Sequence, residues 1–200
     1  MRDTSIIIIY LLTGIVLGYT DLVPSVIMLP QAGLWILYVL LFAVGMSIGC
    51  DETLVRQIKS QNPLLLLIPI VTIVGTLGGS LLIVPFLPER TLSDCLAVAS
   101  GMGYYSLSSI LISEYKGADL GVVALISNIL REVFVLVCAP LLVRYFGKLT
   151  PICCGGATTM DSTLPVIIRS SGNDYVILSI IHGVIVDFSV PFLVSFFCSL

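Results

Sequence analysis

The sequence predicts an all-α integral membrane protein: about five full transmembrane helices plus two glycine-interrupted, re-entrant segments arranged as an internal, inverted repeat. Three observations lead there. The 200-residue chain is 58% hydrophobic and 10% charged, with a mean hydropathy of +1.13, whereas a soluble domain carries about a quarter charged residues. Several windows hold about 20 mostly apolar residues, the length that crosses a bilayer core of roughly 30 Å as a helix. Polar landmarks also recur at a fixed spacing in the second half of the chain. Residues 1–200 therefore read as a single membrane domain, with three N-terminal helices in 4–87, one repeat copy at 97–145 and another at 152–200.

The elements follow in order. Met1-Arg2 and the isoleucine run Ile6 to Ile9 open like a signal peptide, but the apolar stretch is long and no small-x-small cleavage site closes it, so 4–20 is the first span. Further spans are expected at 32–50, 64–87, 119–143 and 175–198, with less regular apolar segments at 92–113 and 151–168. Between them lie Thr20 to Pro24, Asp51 to Pro63, Pro88-Glu89-Arg90, Ser113 to Gly117 and Gly147 to Pro151. None of these breaks has room for a soluble domain.

Sliding the chain against itself by 55 residues brings Gly101 onto Gly156, Ser106 onto Asp161, Ser108 onto Thr163, Gly117 onto Gly172, Asp119 onto Asp174 and Glu132 onto Asp187. Apolar matches carry no weight in such a sequence, but six small or polar coincidences in one register do. Each copy holds an interrupted segment, around Gly101-Met102-Gly103 and Gly155-Gly156-Ala157, followed by a long helix with one acid. Paired interruptions of this kind point to a transporter site built from discontinuous helices. The positive-inside count agrees with re-entry. Arg2, Arg56 and Lys59 mark the cytoplasmic side, and Arg144 and Lys148 join them if each interrupted segment returns to the side it entered from, which also inverts the copies.

Other classes are disfavoured. A net charge of −3 without a basic tract gives no footprint for nucleic acid. The six cysteines form no CxxC and the sole histidine is His182, so neither a zinc site nor a disulfide framework is expected, and no cofactor is implied.

An ionisable group at membrane depth costs at least about 2.5 to 3.5 kcal/mol, which makes it a functional candidate. Glu132, Arg131, Asp161 and Asp187 stand out, three acids against one base, a balance that suits a cationic substrate or protons. Asn128 and Glu132 share a helix face; Arg131 reads as supporting or as neutralising burial, and His182 as a hydrogen-bonded packing residue behind the site. Gly155 and Gly156 let the backbone leave the helix. Thr158 and Thr159 can bond the freed groups, and Asp161, Ser162 and Thr163 can cap or line the segment that resumes. Ser106 is the first copy's counterpart of Asp161. The plainer alternatives are an extramembrane loop with Asp161 as an N-cap, and an Asp187 bonded to His182 or Ser189. In the functional reading, half-helix N-terminal amides hold a substrate carboxylate. Asp161 and Glu132 hold ammonium groups, and Glu132, Asp161 and Asp187 exchange protons.

At GMGYYSLSS, SNILREVF and GGATTMDSTLP the chain resembles the LysO-type family of bacterial lysine exporters, over most of 30–200. The resemblance implies an inner-membrane exporter of L-lysine and thialysine driven by the proton gradient, with essential intramembrane acids that map onto Glu132 and Asp161. Full-length members carry a further hydrophobic block before the matching part. Either a separate small membrane protein supplies that block, or the chain completes itself as a homodimer. Two rival readings are an intramembrane aspartyl protease using Asp161 and Asp187, disfavoured because Asp161 follows Met160 where that class has glycine, and a passive channel or structural subunit.

Overall fold

The computed structural model describes residues 67–200 and the isolated positions Thr13, Trp35, Val39, Phe42, Met46 and Cys50. The chain divides into two compact units, Met1–Cys50 and Asp51–Leu200. In the first, the described positions are helical and exposed; the expected spans 4–20 and 32–50 otherwise lie outside the described residues.

In the second unit the regular structure described is all helical. Helix α1 (Leu67–Ile83) runs on through a 3-10 turn to Phe86, forming a 20-residue uncharged stretch. Helix α2 (Leu92–Ala99) starts at a capping box, in which Thr91 Oγ1 accepts from Asp94 N at 3.2 Å and the Asp94 carboxylate accepts from Thr91 N at 3.1 Å. It stops where Met102 and Gly103 turn to positive φ, 44° and 95°. The chain then resumes as α3 (Tyr105–Lys116), and α4 (Ala118–Phe146) follows. Next come α5 (Thr150–Gly155), a 3-10 turn over Gly156–Met160, α6 (Leu164–Ser171) and, after a second 3-10 turn, α7 (Val176–Cys198). Three stretches are long and apolar enough to cross a membrane: Leu67–Phe86, Ala118–Phe146 and Asn173–Cys198. They correspond to the last three expected spans.

At 1.5 Å per residue α2 and α3 are only about 12 and 18 Å long, and α5 and α6 are shorter still than α3, so no single piece crosses a 30 Å core. Each pair instead folds back on itself. Lys116, at the end of α3, donates to Ser93 Oγ at 3.2 Å and lies 3.5 Å from Asp94 at the start of α2. Ser171, at the end of α6, donates to the carbonyl of Lys148 just before α5, at 2.8 Å. The two closures obey the same 55-residue spacing as the polar landmarks. So do the two hinges that follow them: Gly117 (φ 98°, ψ 159°) and Gly172 (φ 107°, ψ 163°) share one left-handed conformation that other residues rarely adopt.

Chain continuity puts the first hairpin at the N-terminal end of α4 and the second at its C-terminal end. They meet by their tips, where Ala157 N donates to Met102 O at 2.9 Å. α7 runs between the two bases: Leu178 packs with Ile152, Ile167 and Ile68 beside the second, and Cys198 lies in the field of Lys116 and Asp94 at the first.

Candidate functional site at the crossing of the broken hairpins

One face of α4 holds both breaks. The amide of Asn128, buried, accepts from Gly103 N at 2.7 Å and donates to Ala124 O at 2.8 Å. One turn on, Arg131 donates through Nε to Cys154 O at 2.7 Å and through Nη2 to Cys153 O at 3.2 Å and Thr76 Oγ1 at 3.3 Å. Its partners among the described residues are carbonyls and a hydroxyl, and no acid among them is neutralised by it.

α7 holds the second break from the other side. A Cβ on Gly183 would lie 2.7 Å from Met160 N, so the turn can approach only because the side chain is absent. Thr159 Oγ1 has carbonyl acceptors in Gly156 O at 2.8 Å and Ser179 O at 2.9 Å, and faces His182 Nδ1 at 3.1 Å. With its one proton given to a carbonyl, the Thr159 oxygen accepts from Nδ1–H, which leaves Nε2 to accept from Thr72 Oγ1 at 2.9 Å. His182 is fully buried, and its hydroxyl chain ends on carbonyls. Asp187 does not bond to it, and Ser189 donates to Val186 O. Thr158 donates to Gly155 O and Thr163 to Thr158 O, both at 3.0 Å. No side chain of Asp161, Ser162 or Thr163 caps α6; Leu164 N goes to the Asp161 carbonyl.

The acids are placed unequally. Asp161 is exposed, and its carboxylate accepts from the backbone N–H and hydroxyl of Ser162. Half-buried Asp187 on α7 lies in the field of Asp161, and both acids act on Tyr104 of the first break. Two acids and a phenol from three elements thus share one region. Glu132 sits at the margin of the buried face of α4, makes no hydrogen bond or ion pair to the described residues, and is not among the charges acting on Asp187. Ser106 is exposed on the first turn of α3. Sequence reasoning missed Tyr104, Thr72 and Thr76. The two threonines, four apart and followed at the same spacing by Ser80 on a mostly apolar helix, were a usable signal. Among the described residues no three His, Cys, Asp or Glu side chains could hold a metal ion. A cavity of about 280 Å³ between α1, α2 and α4 runs from Arg90 and Asp94 to Ala99 and Ser127, beside the first break.

Apolar spanning helices around two broken hairpins, with acids at their meeting point, define a membrane transporter. The chain belongs to the lysine exporter LysO family, whose family model matches residues 8–198. It is 35% identical over 167 residues to "Lysine exporter LysO" of Escherichia coli K12, covering 84% of this chain and 55% of that protein. It is 30% identical over 187 residues to "Putative lysine exporter" of Haemophilus influenzae Rd, covering 93% of each. The chain therefore spans little more than half the length of the Escherichia coli relative. No solved structure matches it significantly. The family is one of transporters and not an enzyme class, and the chain is a multi-pass protein of the bacterial inner membrane.

Proposed function

We propose that the protein exports L-lysine and its analogue thialysine in exchange for protons, at a site formed where the hairpin tips cross. The observation that carries this reading is the meeting of Met102 O and Ala157 N with Asp161 and Asp187 close by. Asp161 and Asp187 take the ammonium groups and release protons as the cation binds. Glu132, unpaired among the described residues, is a further proton-coupling acid. Residues 155–163 and Ser106 line the site, and the α-carboxylate goes to half-helix amides. At the start of α3 the N–H groups of Tyr105, Ser106 and Leu107 have no backbone acceptor outside the helix among the described residues.

The single membrane domain is an inverted repeat, an arrangement supported by the equal spacing of the two closures and hinges and by the hairpins' entry from opposite ends of α4. The base of the second hairpin carries Arg144, Lys148 and Arg169, and that of the first has Arg90 and Lys116 among four acids, so the second faces the cytoplasm. A preceding hydrophobic block, from a small partner protein or a second copy, completes the transporter. The chain covers 55% of the Escherichia coli relative and 93% of the Haemophilus influenzae one.

Counterflow in vesicles containing the protein, with and without that block, tests the reading across basic, neutral and acidic amino acids. Lysine should exchange and should leave loaded vesicles faster when the outside is acidic. Asp161→Asn, Asp187→Asn and Glu132→Gln should each lower flux at least about tenfold with insertion intact. Release from loaded vesicles no faster than from protein-free ones would end the export reading, and unsaturable flux indifferent to pH would make the protein a pore.

A further inference from the structure

A helix leaves its last four carbonyls without intrahelical donors, and at membrane depth each must find a partner. At the end of α5 every one is met. Ile152 O takes Gly156 N, Gly155 O takes the Thr158 hydroxyl at 3.0 Å, and between them Cys153 O and Cys154 O take the guanidinium of Arg131 at 3.2 and 2.7 Å. Among the described residues no cationic side chain meets the carbonyls of the first break. There Val98 O and Ala99 O receive Gly101 N and Met102 N at 3.2 Å, and Gly101 O receives Tyr104 N at 2.7 Å. The residue matching Arg131 at the 55-residue spacing is Val186, which is apolar.

Carbonyl ends of half-helices are where broken-helix transporters hold a monovalent coupling cation, because the negative end of the dipole and the carbonyl oxygens replace its water shell. In this chain a side chain occupies that place. We propose that Arg131 is a tethered cation, filling the carbonyl end of α5 that an inorganic ion such as sodium would otherwise fill. A planar fork suits the job: two nitrogens meet successive carbonyls, and Nη2 also reaches Thr76 on α1. The transport consequence rests on the reading above: no sodium is needed at this break, and coupling falls to the carboxylates. Arg131 is thus a positioning residue whose removal creates a cation site.

The test compares the wild type, Arg131→Ala and Arg131→Lys in choline, sodium and guanidinium chlorides at tens of millimolar, by thermal unfolding in detergent and by lysine efflux from vesicles. The wild type should unfold at the same temperature and export at the same rate in sodium as in choline. Arg131→Ala should unfold earlier in choline, lose at least about tenfold in flux, and recover part of both with guanidinium or sodium. Arg131→Lys should fall between them without sodium dependence. Sodium-dependent unfolding or export by the wild type overturns the proposal, as does an alanine variant that matches the wild type in choline or responds to neither cation. If the alanine variant does not fold, sodium independence of the wild type and Arg131→Lys decides it. Absent lysine flux in every form would sink the export reading, leaving the unfolding measurements to judge Arg131.

Discussion

Asn128 and Gly156 carry the crossing at the level of single atoms. Truncation in Asn128→Ala strands the N–H of Gly103 in a buried setting, a loss of about 1 to 3 kcal/mol. Thermal unfolding of the purified variant should register that loss. Gly156 has φ 65°, and a Cβ there would run into Met102 O, the acceptor of the bond that joins the two tips. Gly156→Ala is therefore expected to cost about 1 to 3 kcal/mol in backbone strain alone and to part the hairpins, so flux should fall further than stability does. The special residues were legible by polarity, since Asn128, Arg131, Asp161 and His182 interrupt apolar runs. Their partners were not. Arg131 ends on backbone carbonyls of Cys153 and Cys154, which have no signature in sequence, and Tyr104 reads as one more aromatic among many.

At the scale of elements, small spacing decides what can approach. Gly183 brings α7 against the second break, whereas a Cβ on Gly75 of α1 meets nothing within 4 Å among the described residues. Gly183→Val should lower both unfolding temperature and flux, and Gly75→Val should leave both near wild type; equal effects would mean that the close approach is unimportant. The 55-residue register set Gly117 against Gly172 and the two interruptions against each other, and both glycines end a helix at positive φ. It did not foresee the 3-10 turn over Gly156–Met160, because that turn is held by Thr159, Ser179 and His182, partners brought in by tertiary packing. Glycine can announce that a helix breaks, but the direction of the resumed chain is set by what waits across the gap.

For the molecule as a whole, the orientation inferred from positive charge is open to direct test in a cysteine-free background. Single cysteines at Arg90 and Lys116 should react with an impermeant thiol reagent added outside intact cells, and ones at Lys148 and Gly172 only after permeabilisation. The reverse pattern would invert the assignment, and reaction of all four from outside would remove the opposed hairpins. The last three spans were legible because lipid demands about 20 apolar residues. Hairpin closure was harder to read, because it depends on Lys116 reaching Ser93 and Ser171 reaching Lys148 across the hairpin.

The tip-to-tip meeting also has an electrical side. Met102 and Ala157 are buried where the tips meet, and Asp161 nearby is exposed. A charge carried across the membrane moves through the transmembrane voltage, at about 2.3 kcal/mol per elementary charge against 100 mV. An exchange of one proton for one singly charged lysine moves no net charge, so its rate is indifferent to voltage. Two protons per lysine would draw on the inside-negative potential, and clamping vesicle voltage with a potassium ionophore separates the two.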